Sequence, residues 1–172
     1  SFFLSKKLTD NTSQSLINAL ITVSSLYVVV IIIEAPWDIF THGFMLFGIY
    51  ALFQIFESKT VNWKLVIIAG TAIGLSILSK GPISFYALLL PFLISYGITY
   101  HFKGIKKKIL PILVIIVLSF SIGASWYAYI RIADSEAFVA IANRETANWS
   151  SYNVKPIYYY WSFFTQSGLW TI

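Results

Sequence analysis

The fold is decided by the stretch from Ile109 to Ile130, which reads ILPILVIIVLSFSIGASWYAYI. This stretch runs for 22 residues without an Asp, Glu, Lys or Arg. A helix that crosses the hydrocarbon core of a bilayer needs about 20 predominantly apolar residues. The pattern therefore predicts a membrane-spanning helix and not an element of a water-soluble core.

The composition of the whole chain agrees with that prediction. Hydrophobic residues make up 58% of the 172 residues and charged residues 11%, and the mean hydropathy is +0.74. Soluble domains carry about 25% charged residues. The chain has no cysteine, which excludes disulfides, thiolate metal sites and cysteine nucleophiles from it. The composition thus indicates an integral membrane protein.

Further apolar stretches surround the first one, so we predict an all-α, polytopic transmembrane helical bundle. It would contain about five complete membrane helices and the start of a sixth. The chain lacks a signal-peptide pattern at Ser1 and ends inside an apolar run. We therefore expect residues 1–172 to be part of one transmembrane domain, truncated at both ends. The stretches are Leu16–Ile33, Ile39–Phe56, Leu65–Ser79, Ile83–Tyr100 and Ile109–Ile130, with the sixth starting at Tyr158.

Small residues and basic residues add detail to this topology. Gly70 and Gly74 lie four positions apart, which predicts a face where two helices pack closely. Basic residues are concentrated in alternate gaps, and the positive-inside rule places the richer gaps in the cytoplasm. The segment 131–155 is then extracytoplasmic. Eight basic residues (Lys6, Lys7, Lys59, Lys64, Lys103, Lys106, Lys107, Lys108) fall on the first side and four (Lys80, Arg131, Arg144, Lys155) on the other.

The net charge of +5 does not indicate a nucleic-acid partner. The lysines lie in the gaps between apolar stretches and do not form a basic patch interleaved with aromatic residues. We interpret the run Lys106–Lys108 as a topology anchor. The chain is therefore expected to bind membrane lipids and no nucleic acid.

The predicted outer side gathers several charged residues, each with a simpler interpretation. Glu34 and Asp38 suit a helix N-terminus, where the helix dipole favours carboxylates. Lys80 suits a side chain that snorkels to the interface. Arg144 and Glu145 suit an ordinary surface ion pair, which contributes little to stability. These interpretations stand beside a role in a site at the membrane–water boundary.

The two histidines, His42 and His101, fall on different segments and make no ligand pair for a metal. A polar side chain within a membrane helix more often hydrogen bonds to a neighbouring helix. We predict such a bond for His42. The residues alone therefore predict no metal site.

An ordered set of motifs resembles one enzyme family. The segment LSILSKGP (75–82), followed by LLLP (88–91), resembles the signature GLAFLTKGP…LLP of the GT-C membrane glycosyltransferases. The relevant branch contains the dolichyl-phosphate-mannose–protein mannosyltransferases and the bacterial aminoarabinose transferases. Asp38 stands where that family has an acid. Ser125-Trp126-Tyr127 resembles its PWY with Ser in place of Pro, and KPIYYY (155–160) resembles its PFYYY. The resemblance runs from about Leu16 to the end.

The resemblance implies transfer of a sugar from a polyprenyl-phosphate donor to a lipid, protein or glycan acceptor on the extracytoplasmic face. It implies an integral protein of the bacterial inner membrane. The family's chief catalytic acid lies in an outer loop that we expect to precede this chain, so the catalytic residue is not assigned. Divalent-metal dependence stays open, because GT-C enzymes differ. The secondary acid candidates are Glu34, Asp38 and Glu145, and the phosphate-binding candidates are Lys80, Arg131 and Arg144.

Two other classes of function compete with glycosyl transfer. A secondary transporter places broken helices and charges near the bilayer midplane, often in inverted repeats. Here the charges lie at helix ends on one side, and no repeat is visible in the sequence. A non-catalytic assembly subunit has little reason to gather acids and cations on the outer side. The sequence therefore favours the transferase.

Overall fold

A computed structural model describes residues 1–25, 28–29, 32–33, 36–102 and 105–150. Within these ranges the chain is helical and contains no strand, which confirms the predicted all-α class. The α-helices are α1 (Phe2–Thr9), α2 (Thr12–Ser24), α3 (Pro36–Glu57), α4 (Trp63–Lys80), α5 (Leu90–Tyr100), α6 (Ile109–Gly123), α7 (Ser125–Ala133) and α8 (Ser135–Ser150). A π-helix (Phe85–Leu89) precedes α5, and a 3-10 helix (Ile105–Lys108) precedes α6.

Three segments of the described chain are long and apolar enough to cross a membrane: Trp37–Glu57, Trp63–Lys80 and Ile109–Ala133. The apolar helix Phe85–Tyr100 is shorter than these. The first predicted stretch includes positions outside the described residues, and the sixth lies wholly outside them. The structure thus confirms a helical membrane protein, while the number of five crossings stays a prediction.

Helix α4 extends the predicted stretch Leu65–Ser79 to 18 residues. Asn62 caps the helix, because its side-chain oxygen accepts a hydrogen bond from the backbone N–H of Lys64 at 3.1 Å. The helix therefore starts at Trp63, before the apolar residues begin. This cap gives α4 the length of a membrane span.

The next predicted stretch is helical but irregular. The backbone N–H of Leu90 bonds to the carbonyl of Phe85, which closes a π-helical turn just before Pro91. Proline lacks an N–H and its ring clashes with the preceding helical turn. A wider turn accommodates both effects, and the α-helix then continues to Tyr100.

Helix α4 packs between α3 and α6 at the centre of the bundle. Leu118 of α6 contacts the position where a Cβ of Gly70 would lie, at 2.9 Å, and Ile122 does the same for Gly74, at 2.8 Å. The Ser119 hydroxyl donates to the carbonyl of Gly70 at 3.0 Å. The predicted close-packing glycine face is therefore confirmed, and it holds α4 against α6.

Candidate functional site

Three polar contacts join α3 to the end of α4 and the turn after it. On α3, Thr41 and His42 follow Asp38 by three and four positions, so the three residues share one face of that helix. Their partners are spaced by four positions. Polar groups inside membrane helices commonly mark functional sites. We call these contacts the polar ladder, which is formed by Asp38 with Lys80, Thr41 with Ser76, and His42 with Ser84.

The ion pair of Lys80 with Asp38 lies where α4 ends. Gly81 terminates the helix with a φ of 76°, a conformation that residues with a Cβ rarely adopt. The Lys80 side chain keeps 38% of its surface exposed and that of Asp38 18%. An ammonium group has three N–H donors, and one carboxylate does not use all of them. Lys80 therefore has the capacity to bind a further anionic oxygen.

The other two contacts of the ladder are more buried. Ser76 is fully buried, and its hydroxyl donates to the backbone carbonyl of Thr41 at 2.7 Å. Ser84 is also fully buried, and its Oγ lies 2.9 Å from Nδ1 of the half-buried His42. This confirms the helix-to-helix hydrogen bond predicted for His42. The two serines anchor the chain four residues before and four residues after Lys80.

A cavity of about 770 Å³ opens beside the ladder's lysine. One wall comes from the turn after α4, and the others come from α7 and α8. The walls are mainly apolar and aromatic, so the cavity combines one cation with a hydrophobic surface. It is lined by Lys80, Gly81, Pro82 and Ile83, by Trp126, Tyr127 and Ile130, and by Phe138, Ile141, Ala142 and Thr146.

Helix α8 forms much of the segment 131–155, which the sequence predicts to be extracytoplasmic. Residues Ser135–Ser150 form this helix, and it lines the cavity. Its apolar contribution to the cavity wall comes from Phe138 and Ile141. The side of the membrane on which it lies stays a prediction.

The other predicted site residues either lie away from the cavity wall or fall outside the described residues. Arg131 and Arg144 are exposed and do not line the cavity. Glu34 lies outside the described residues, and so does the side chain of Glu145. The structure therefore brings only Asp38 to the ladder's lysine among the described candidates. Within the same ranges, no three His, Asp or Glu side chains cluster closely enough to bind a metal ion.

The sequence pattern of one protein family matches most of the chain. This family is described as dolichyl-phosphate-mannose-protein mannosyltransferase, and the match covers residues 2–126. It includes every residue of the polar ladder. The chain belongs to this family. No curated protein and no solved structure shows significant similarity to the chain.

Membership in the mannosyltransferase family confirms the resemblance of the motifs and places the chain among membrane glycosyltransferases. It favours glycosyl transfer over secondary transport or a non-catalytic assembly role. The match ends at Trp126, so α8 and most of α7 lie beyond it. The family pattern therefore includes the ladder, the turn that follows α4 and Trp126 of the cavity wall.

A buried lysine, Lys108 of the 3-10 helix, contacts the opposite end of α3. The sequence predicted only a topology anchor at this lysine. The Nζ of Lys108 donates to the carbonyls of Ile55, Phe56 and Ser58 at 2.7, 2.6 and 2.7 Å. Burial lowers the pKa of Lys108 from its ordinary value, and the nearby Glu57 carboxylate partly offsets this effect. A cation at a helix C-terminus is favourable, but here the lysine and the helix end are about 50 residues apart in sequence.

Proposed function

We propose that this member of the mannosyltransferase family takes a sugar from a polyprenyl-phosphate donor and transfers it to a lipid, protein or glycan acceptor. In this proposal Lys80 binds the donor phosphate on the extracytoplasmic face of the plasma membrane. The observation that carries it is the position of Lys80, half-exposed at the end of a candidate membrane span and on the wall of an apolar cavity.

The chemistry of the donor fits this arrangement. A polyprenyl phosphate joins an anionic headgroup to an isoprenoid chain, so its phosphate lies at the membrane–water boundary. Negative charge grows on the phosphate as the bond to the sugar breaks. A fixed cation stabilises that charge more strongly in a water-poor site than in water. Lys80 supplies the cation, and the aromatic and aliphatic wall around Trp126 and Ile130 supplies the apolar surface.

Asp38 has a supporting part in this proposal. Its carboxylate holds the ammonium of Lys80 beside the cavity before the donor binds. An ammonium can donate to Asp38 and to a phosphate oxygen together, because its three N–H groups point in different directions. Arg131 and Arg144 do not line the cavity themselves, but they belong to α7 and α8, which do, and we keep them as proposed secondary phosphate contacts.

The test replaces Lys80 in the purified enzyme and follows sugar transfer from a polyprenyl-phosphate sugar. A charge-assisted hydrogen bond contributes about 1.5–3 kcal/mol, so Lys80→Ala is expected to lower kcat/KM for the donor by roughly 10- to 150-fold. Lys80→Arg is expected to recover part of that loss, since arginine keeps the charge but places its donors differently.

Lys64 provides the matched control. It is an exposed lysine at the other end of α4, so Lys64→Ala removes the same charge from the same helix. We expect Lys64→Ala to transfer sugar at close to the wild-type rate. A wild-type rate and donor dependence for Lys80→Ala would show that Lys80 is an interfacial anchor and not a phosphate ligand.

A further inference from the structure

The hydrogen bond between His42 and Ser84 is one of the two contacts of the polar ladder that the proposed function does not use. Ser84 is fully buried, and Nδ1 of His42 lies 2.9 Å from its hydroxyl oxygen. Ser84 directly precedes the π-helix Phe85–Leu89. Single π-helical turns are rare and occur frequently at functional sites. The bond therefore lies where the helix departs from regular α-helical geometry.

The chain between Lys80 and Ser84 forms a corner. Gly81 has a φ of 76°, and the ring of Pro82 fixes the next φ. The backbone N–H of Phe85 then donates to the carbonyl of Pro82 at 3.0 Å, which closes the corner. The backbone N–H of Gly81 also donates to the carbonyl of Ile77 at 2.7 Å, so hydrogen bonds tie the corner to the helix on each side. Only three residues separate Lys80 from Ser84, which limits how far one can move without the other. Fixing Ser84 thus fixes the direction in which the chain leaves Lys80.

Helix α3 holds this corner at both of its ends. Asp38 binds the Lys80 ammonium before the corner, and His42, one helical turn further on the same face, binds Ser84 after it. We infer that His42 is a positioning residue for the donor, which acts through Ser84 to hold Lys80 against the cavity. This inference rests on the proposed role of Lys80 as the phosphate ligand.

Substitutions can separate this role from simple packing. The Nδ1 atom of histidine is bonded to Cγ, and so are the polar side-chain atoms of asparagine. His42→Asn therefore places a hydrogen-bonding atom where Nδ1 lies. In His42→Gln the polar atoms are bonded to Cδ, so they correspond to Nε2 and miss Ser84. The two variants have similar polarity and differ in whether the bond to Ser84 forms.

We expect His42→Gln and Ser84→Ala each to raise the KM for the donor by about 3- to 10-fold, the loss of one hydrogen bond. His42→Asn is expected to stay within about 2-fold of the wild type on the same scale. The kcat at saturating donor should fall as well, because Lys80 also stabilises the charge that grows on the phosphate as the sugar bond breaks. Binding of a polyprenyl monophosphate without sugar, measured in detergent, should weaken by the same factor.

A double-mutant cycle with Lys80→Ala decides between positioning and general structure. If His42 acts through Lys80, His42→Gln should cause little further loss in the Lys80→Ala background. An equal loss in both backgrounds, or equal activity of the Asn and Gln variants, would overturn the inference and leave the phosphate role of Lys80 intact. A wild-type rate for Lys80→Ala alone would instead overturn the proposed function. Thermal unfolding of each variant in detergent identifies any that fail to fold, and Ser84→Ala then provides the test.

Discussion

Lys80 and Lys108 each place an ammonium group near the C-terminal end of a helix, but the hydrogen-bond partners of the two groups differ. Lys80 is the last residue of α4, whereas Lys108 contacts the end of α3. Lys108 is buried, and three backbone carbonyls accept its hydrogen bonds. Lys80 is half-exposed, pairs with the single carboxylate of Asp38 and lines a cavity. A lysine whose donors are all used by the protein stabilises the fold, whereas one with donors to spare can bind a ligand. In our proposal, one end of the bundle thus serves stability and the other serves recognition of the donor.

The largest expected effect is on stability, at Lys108. Lys108→Ala removes the cation that satisfies the last carbonyls of α3, and a buried acceptor without a partner costs about 1–3 kcal/mol. The carbonyl of Ile55 also accepts from the Ser58 hydroxyl at 2.9 Å, so the loss falls mainly on the other two acceptors. We expect Lys108→Ala to lower the free energy of unfolding by about 3 kcal/mol, measured by thermal or denaturant unfolding in detergent.

Lys107 is the matched control for that experiment, because it is the neighbouring lysine and is exposed. Lys107→Ala should change stability by less than about 0.5 kcal/mol. The comparison between the two ends of the bundle fails if Lys107→Ala and Lys108→Ala destabilise equally. It also fails if Lys80→Ala destabilises the fold as much as Lys108→Ala does.

The sequence singled out Lys80 as a candidate site residue but did not single out Lys108. Lys80 stands out locally, since it follows an apolar stretch, precedes Gly81-Pro82 and falls in the alternate gaps that are poor in basic residues. Lys108 belongs to a run of lysines that topology alone explains. Its partners lie 50 to 53 residues earlier, and no local pattern links them. The apolar stretches and the glycine face were predictable because they depend on local periodicity, whereas the pairing of Asp38 with Lys80 required the packing of two helices.

The second prediction concerns the packing of α4, the helix that ends at Lys80, against α6. A Cβ at Gly74 would lie 2.8 Å from the Cβ of Ile122 and 3.1 Å from the carbonyl oxygen of Ser119. Gly74→Ala must therefore move α4 away from α6, and overpacking of this kind costs about 1–3 kcal/mol. We expect a lower unfolding temperature and reduced sugar transfer, because Lys80 lies only six residues further along α4.

Gly43 offers the control within a neighbouring helix. In the described part of the chain, no atom beyond its own helix backbone and chain neighbours lies within 4 Å of the position that its Cβ would take. Gly43→Ala should leave stability unchanged or raise it by up to about 1 kcal/mol, since alanine favours the helix over glycine. Destabilisation by Gly43→Ala that equals that of Gly74→Ala would show that helix contacts do not explain the effect. If Gly74→Ala loses activity without losing stability, the substitution acts through the position of Lys80.

The smallest expected effect tests whether Tyr96 and Glu57 stabilise the contacts of Lys108 with the end of α3. The hydroxyl of Tyr96 donates to the Glu57 carboxylate at 3.2 Å, and that carboxylate partly offsets the effect of burial on the pKa of Lys108. Glu57 is exposed, so water replaces the lost hydroxyl in Tyr96→Phe and no buried acceptor is left without a partner. We therefore expect Tyr96→Phe to cost about 0.5–1 kcal/mol of unfolding free energy.

Tyr100 provides the control for Tyr96, because its ring stacks on that of Tyr96 at 4.8 Å and its hydroxyl makes no hydrogen bond within the described part of the chain. Tyr100→Phe should be neutral. If Tyr96 supports Lys108 through Glu57, the cost of Tyr96→Phe should shrink in the Lys108→Ala background, since there is no longer a cation for the carboxylate to stabilise. Equal costs in the two backgrounds would mean that Lys108 depends on its three carbonyls alone, and that the stabilising end of the bundle is built from backbone acceptors without help from side chains.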